Sequence, residues 1–498
     1  MSAYAAVSRR QFLGTSAATI TALLASRLQA GDAAPCQLLA GAATSNITLP
    51  LGATNGGVIA RGGPATRVHD ELLARCLVLD DGKLRLAFAV CDARMIGRDV
   101  LDAAKQLLRQ SIGLPADQLL ISATHTHSAP GVVGLNRNEL DRWYLDFFAR
   151  RVADGICRAA GHLAPARIGW GFGSRPQHVF NRRWRMKPGS IPPDPFGQTT
   201  DQVQMNPPAG SPNLVEPAGP VDPQLGVLSV QHADGRPLAL LANYGVHYIG
   251  GTERNDVSAD YYGVFADRVQ QLFSADRLDP PFVAIMSNGT SGDVNNIDFR
   301  SKRGKETPWT RMRAVAFDLA DEALRVCQQI DHRDHVELAV RTTELQLGVR
   351  RPDAKRLEWA RRTIAAAQPS KNLSRPQIYA QEALELAKYP PTVPVKLQAI
   401  RIGPLGIAAI PCEVFAETGL AIKAQSPLKP TFIIELANGF NGYLPTPSQH
   451  ELGGYETWPA RSAYLEPAAE DKIRAGVLNL LANLSMPTAN RNKPRAMA

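Results

Sequence analysis

The sequence predicts an α/β fold, a mixed β-sheet core flanked by helices and built as a single large elaborated domain. Apolar runs of strand length alternate with segments whose apolar residues recur at helical spacing, the order expected when helices cover a mixed sheet. Asp-Gly turns at Asp81-Gly82 and Asp234-Gly235 each join two apolar runs into a hairpin. The chain has 498 residues, 44% hydrophobic and 20% charged, which is ordinary globular composition and ample for a sizeable core.

The elements follow in order. Residues 72–79 and 84–90 read as the first hairpin, and 97–113 as a helix stopped by Gly113. Leu119-Leu120-Ile121-Ser122 predicts a buried strand over 119–123, and 138–162 the next long helix. Between 184 and 223 the pattern dissolves into Lys187-Pro188-Gly189, Pro192-Pro193-Asp194-Pro195 and Pro207-Pro208-Ala209-Gly210. A long segment without secondary structure of its own is expected to be a lid or rim over a binding site rather than a linker. A second hairpin is expected over 225–231 and 237–241, running into Ala242-Asn243-Tyr244-Gly245-Val246-His247. Then come a helix over 258–272 capped by Ser258, a buried strand over 282–286, and a polar, glycine-rich turn over 287–296. Helices are expected over 308–329, 352–367 and 376–388, and strands over 395–402, 406–410 and 432–436. No internal repeat is visible.

The amino terminus, Ser8-Arg9-Arg10-Gln11-Phe12-Leu13-Gly14, precedes a mildly apolar stretch and small residues near 30–34. Residues 1–33 are therefore expected to be a twin-arginine signal, and 34–485 the mature domain, exported through the Tat translocase to the periplasm or beyond. That route suits metal proteins, which can be loaded in the cytoplasm. Residues 486–498 read as a disordered tail. The formal charge is +9; residues 1–30 hold three arginines and no acids, so +6 remains downstream. Without a Lys/Arg stripe interleaved with aromatics, nucleic acid is not an expected partner, whereas mild basicity allows peripheral contact with an anionic membrane surface. No later run of eighteen apolar residues predicts a membrane span. The six cysteines, at 36, 76, 91, 157, 327 and 412, form no Cys-x-x-Cys. Cys76 and Cys91 lie on the first hairpin, as a cross-strand pair or, more in keeping with the apolar setting, as two buried thiols.

The most informative stretch is Thr124-His125-Thr126-His127-Ser128-Ala129-Pro130-Gly131, which places two of ten histidines one residue apart beyond a buried strand. If the backbone stays extended there, both imidazoles project to the same side. Groups able to bind zinc recur beyond other strands: His247, Glu413 in Pro411-Cys412-Glu413, and, in a later turn, Tyr443 in Asn441-Gly442-Tyr443. Distant segments of chain converge at such strand ends, and zinc takes imidazole and carboxylate ligands with one position left for water. Ser291 sits in Gly289-Thr290-Ser291-Gly292, without a full Gly-x-Ser-x-Gly elbow, and no His-Glu-x-x-His helix occurs. Both absences argue against a Ser-His-Asp hydrolase and a zincin.

His-Thr-His-Ser-x-Pro-Gly, Asn181-Arg182, an aromatic-x-x-His strand end, Gly292-Asp293-Val294, Pro-x-Glu and a later Tyr occur in an order that resembles the neutral/alkaline (non-lysosomal) ceramidase superfamily over residues 36–470. The resemblance implies a zinc-dependent hydrolase that cleaves an amide bond in a lipid-like N-acyl substrate. It implies that His125, His247, Glu413 and Tyr443 hold one Zn²⁺ per chain, while His127 lies beside the water and substrate. Arg182 and Tyr455, in Gly454-Tyr455-Glu456, match the family's arginine and second tyrosine and would stabilise a developing oxyanion. Glu413 and His127 are the candidates to take and return a proton. Two departures stand out. Where family members continue Gly-Asp-Val with Ser-Pro-Asn, this chain has Asn295-Asn296-Ile297, and asparagine is no nucleophile. The family's C-terminal immunoglobulin-like domain has no counterpart after the tyrosine segment, so a shorter relative is expected. The same zinc site acting on an ester or lactone, or a zinc-holding envelope protein without catalysis, are the alternatives.

Overall fold

The computed structural model describes residues 37–485, apart from 58, 60–61, 134–138, 303, 305 and 367–372. The expected signal, Cys36 and the expected tail lie outside the described residues. Eight strands, β1 (Leu39–Asn46), β2 (Leu73–Asp80), β3 (Arg85–Cys91), β4 (Leu119–Ala123), β5 (Ala164–Ser174), β6 (Gln224–His232), β7 (Pro237–Tyr244) and β8 (Val283–Asn288), form one sheet in the order β8-β7-β6-β5-β1-β2-β3-β4. A second sheet of four runs β9 (Leu338–Gly348), β10 (Thr392–Ile402), β11 (Leu405–Ile410) and β12 (Thr431–Glu435).

Because side chains alternate along a strand, each sheet buries two faces. Leu77 and Leu79 of β2 pack inward with Ile400, Ile407 and Phe432 of the other sheet, while Cys76 and Val78 face α1 (Arg98–Ile112) and α2 (Glu139–Gly161). The β6 and β7 half is covered by α3 (Asp260–Leu272) and α4 (Thr310–Cys327). Next in the chain come α5 (Ala354–Ala365) and α6 (Arg375–Leu386), packed on each other, and the outer face of the small sheet carries α7 (Ala416–Gln425) and, after the short α8 (Pro447–Leu452), α9 (Ala469–Ser485). Sheets buried on both faces explain why these strands read as continuous apolar runs. Among the described residues no helix is long and apolar enough to cross a membrane.

A repeat does exist, in topology rather than in sequence. Three times an antiparallel hairpin leads through a helix to a strand parallel to its second arm: β2-β3-α1-β4, β6-β7-α3-β8 and β10-β11-α7-β12. In each, the last residues of the parallel pair stand opposite one another: Cys91 with Ala123, Tyr244 with Asn288, Ile410 with Glu435. Hydrogen bonds between loops gather these ends, Ala123 N–H to the Leu436 carbonyl at 3.2 Å and Gly292 N–H to that of Val414 at 2.8 Å. Carboxyl ends of parallel strands are where open sheets bind ligands.

Several expectations need correction. Residues 184–223 are not structureless: with Arg183 they carry the strands Arg183–Met186, Val203–Met205 and Leu214–Pro217, each too short to show a period. α3 begins at Asp260 with Ala259 at its N-cap, so Ser258 lies one residue further out, though its hydroxyl still accepts the Asp260 N–H at 3.0 Å. Strands β1, β5 and β9 and helices α7 and α9 carry no prediction. β5 hides because Gly169, Gly171 and Gly173 face α4 and the chain just after it; a Cβ on Gly171 would sit 2.6 Å from Val326 and one on Gly173 2.1 Å from Glu322. Cys76 and Cys91 are free, buried thiols, pushed up by burial, and pair in register with Ala89 and Ala74 rather than each other.

Candidate metal centre

The three repeated strand ends each deliver a side chain to one place. Arg94, His247 and Glu413 stand three residues beyond the ends of β3, β7 and β11, and His125 two beyond β4. Glu413 lies opposite Tyr443, because Glu413–Val414 pairs in parallel with Tyr443–Leu444. The expectation of extended backbone through His125 fails: its φ is 71°, left-handed for a residue with a Cβ. Such a conformation costs on the order of 1 kcal/mol and collects at functional sites. Two bonds hold it, from the His125 N–H to the Ala93 carbonyl at 2.9 Å and from Nδ1 to the Arg94 carbonyl at 2.5 Å. The imidazoles converge all the same, with His127 Nε2 3.3 Å from His125 Nε2.

The donor count defines what the site wants. A carbonyl only accepts, so His125 Nδ1 facing the Arg94 carbonyl must carry the proton, as must His247 Nδ1, 3.0 Å from the Ser291 carbonyl. In neutral rings both Nε2 atoms then present lone pairs, yet they stand 2.9 Å apart. Glu413 Oε2 is 3.3 Å from one and 3.8 Å from the other, buried and without a hydrogen-bond donor. Three acceptors facing one another at 1 to 3% exposure call for a cation between them. Among the described residues, His125, His127 and His247 form a group able to hold a metal ion, their nitrogens within 4.8 Å of one another.

The remaining predicted residues surround this cluster. Arg182 is buried, donating from Nε to Glu456 at 3.1 Å and from Nη2 to the Gly292 carbonyl at 2.8 Å, with its guanidinium 5.5 Å above the Tyr443 ring. Burial opposes its charge, but Tyr443, Glu456 and Glu413 outweigh that and hold it above its ordinary value. Burial, and next the Glu413 carboxylate, push Tyr443 well up and Tyr455 to about 12, with Arg182 opposing. The two rings meet edge to face at 5.8 Å. Burial first, and then the Arg94 guanidinium, hold His127 well below the usual histidine range. Its ring stacks on Tyr248 at 3.9 Å. His127 and Tyr455 are half-buried, unlike the other five predicted residues, so the open side of the site is theirs.

Sequence reasoning missed Arg94, Tyr248, Glu435 and Glu456. Arg94 was findable by aligning the three strand ends, where it occupies the position of His247 and Glu413. Glu435 ends the buried run Phe432-Ile433-Ile434 as its one acid. Its carboxylate accepts from Asn288 Nδ2 at 2.9 Å, Ser291 Oγ at 2.5 Å, Ser291 N at 3.1 Å and Val414 N at 2.7 Å. Ser291 thus spends its hydroxyl on Glu435 and meets His247 only through its carbonyl, the wrong arrangement for a histidine-activated nucleophile. Asn295 donates to Asn206 Oδ1 and accepts from Ile297 N, both at 2.8 Å.

No protein-family model matches the chain. The crystal structure of the neutral ceramidase from Pseudomonas aeruginosa superposes with a TM-score of 0.68 at 19% identity, covering 90% of this chain and 74% of that one. A ceramidase complexed with C2 gives 0.66 at 17% identity, covering 90% and 75%. At such identities the likeness is one of architecture, and it runs through nearly all of the described chain: this protein is built on the fold of the neutral ceramidases.

Proposed function

We propose that this chain is an exported zinc-dependent hydrolase that cleaves the amide bond of an N-acyl, lipid-like substrate. The observation that carries the reading is the cluster of three facing acceptors, His125 Nε2, His247 Nε2 and Glu413 Oε2, on a ceramidase fold. Imidazole and carboxylate are donors zinc accepts, and an Nδ1–H held by a backbone carbonyl is the usual way a ligating histidine is oriented. His125, His247, Glu413 and Tyr443 would hold one ion per chain. Bound there, zinc supplies Lewis acidity, lowering the pKa of water in its open position to about 7 and polarising the scissile carbonyl.

The chain's own residues supply the rest. His127, kept neutral by burial and Arg94, would take a proton from the attacking water and, as a weakened base, readily return it to the leaving nitrogen. The water oxygen bonds to the carbonyl carbon, the C–N bond breaks, and acid and amine leave. Arg182, fixed by Glu456, and Tyr455, still protonated at neutral pH, donate to the carbonyl oxygen as charge builds on it.

The test is metal analysis beside a substrate panel of N-acyl sphingosine, N-acyl amino acid and aryl ester. About one zinc per chain with amide cleavage is expected. Cleavage of esters or lactones alone would favour the second reading, to which Asn295 in place of the family serine lends weight, since no amine then needs protonating. Zinc without hydrolysis would make the chain a binding protein of the cell envelope, and metal-free protein overturns the model. Export is tested by Arg9→Lys with Arg10→Lys, expected to strand the protein in the cytoplasm on fractionation.

A further inference from the structure

A row of aromatic rings leaves the candidate centre on its open side. From Tyr455 the centroids step 6.0 Å to Trp458, 5.6 Å to Tyr379 on α6 (Arg375–Leu386) and 5.7 Å to Phe196, with Trp359 of α5 (Ala354–Ala365) 5.4 Å beyond. Tyr455, Trp458, Phe196 and Trp359 are half-buried, whereas Tyr379 is buried between Trp458 and Phe196. It ends at a cavity of about 230 Å³, whose lining includes Pro459, the residue after Trp458, Phe196, the arginines Arg350, Arg351 and Arg356, and one acid, Asp353.

Three guanidiniums share the cavity with a single carboxylate, that of Asp353. Arg350 donates to the carbonyls of Thr457 and Ala463, Arg351 to that of Ala387, and the Arg356 guanidinium lies 3.6 Å over the Phe196 ring. None of the three forms an ion pair among the described residues. Asp353 and Asp194 act on Arg356 without pairing with it, each engaged by backbone N–H groups: Asp353 by Arg356, Asp194 by Phe196 and Gln198. An apolar path that ends among uncompensated guanidiniums suits an apolar chain with an anionic tip.

We infer that the substrate is an N-acyl compound whose acyl chain carries a terminal anionic group, with the amide at the metal centre, methylenes along Tyr455, Trp458 and Phe196, and the anion on Arg351 and Arg356. The inference rests on the hydrolase reading above. Its test is calorimetric titration of the full chain with dodecanedioic acid and with dodecanoic acid, one carboxylate of each directed to the centre. The diacid is expected to bind about tenfold more tightly. Arg356→Gln should abolish that advantage and leave dodecanoic acid binding alone, while Arg356→Lys should keep part of it. Equal affinities for the two acids, or an Arg356→Gln loss shared by both, would overturn the inference. Binding is read without turnover: a diacid advantage in a chain that cleaves no amide sinks the hydrolase reading and leaves only the anion site at Arg351 and Arg356 standing, and amide cleavage without the advantage sinks this inference alone.

Discussion

The floor of the site and its rim are anchored differently. On the floor, His125 and His247 are fixed by backbone carbonyls and Glu413 by strand pairing, all just beyond long buried strands. On the rim, side-chain partners are added to backbone ones: Arg182 and Arg183, besides the Gly292 and Gly453 carbonyls, both meet Glu456, and Gln449 bonds Arg183 while reaching the Ala218 carbonyl. Backbone anchors do not depend on the identity of the residue that supplies them, whereas the rim's charges are met by the single carboxylate of Glu456. The floor should therefore lose most metal when a ligand itself is changed, and the rim should lose stability or substrate choice while metal stays.

The sharpest break between the two comes at the histidines. His125→Ala, His247→Ala and Glu413→Ala are each expected to lower zinc affinity by more than about a hundredfold, beyond what loss of an outer partner does. His127→Ala should keep zinc and lose rate by about 10²- to 10⁴-fold. Zinc content and turnover measured together decide it. Since His127 lies within ligand distance of the other imidazoles, zinc loss in His127→Ala would move it from rim to floor.

Glu456→Ala comes next. It would leave the Arg182 and Arg183 guanidiniums, 4% and 0% exposed, without their carboxylate. Breaking a buried ion pair from one side costs about 3 to 5 kcal/mol, which urea unfolding would read, and zinc content should not change. Zinc loss in step with stability would show the rim supporting the floor.

The two regions also differ in how far the sequence disclosed them. His125, His247 and Glu413 were legible because each follows an apolar run long enough to read as a strand, and chemistry at strand ends needs no knowledge of the loops. Arg182 and Tyr455 were reached only through a family resemblance, since nothing local marks them. Glu456 and Gln449 went unseen, as pairs 273 and 266 residues apart in sequence leave no periodic trace. The threefold repeat escaped for a related reason: its three copies share hydrogen-bond order and not residue type. The left-handed His125 shows the limit of period-two reasoning, which holds inside a strand and fails two residues past its end.

Glu435 bridges the two regions, and its loss should fall between theirs in effect. Two of its four donors, Ser291 N and Val414 N, belong to the residue that holds His247 and the residue beside Glu413. Glu435→Ala leaves these buried N–H groups unpaired and frees both loops. Zinc affinity, read by competition with a chelator, is expected to fall about 10- to 100-fold.

The smallest effect expected is at Asn295, where the family places a serine. Its amide is fully engaged, one end on Asn206 in the 184–223 segment and the other on the Ile297 N–H. Serine can still accept from Ile297 but cannot reach Asn206, so Asn295→Ser should cost about 1 kcal/mol and leave zinc in place. N-acyl sphingosine cleavage should not rise, because the asparagine is tying the rim together rather than filling a space a nucleophile would use. A rise would show that position 295 alone keeps ceramide out and that Asn206 is dispensable. An unchanged rate would leave substrate choice with the shape of residues 184–223 and the aromatic row that Phe196 extends from them.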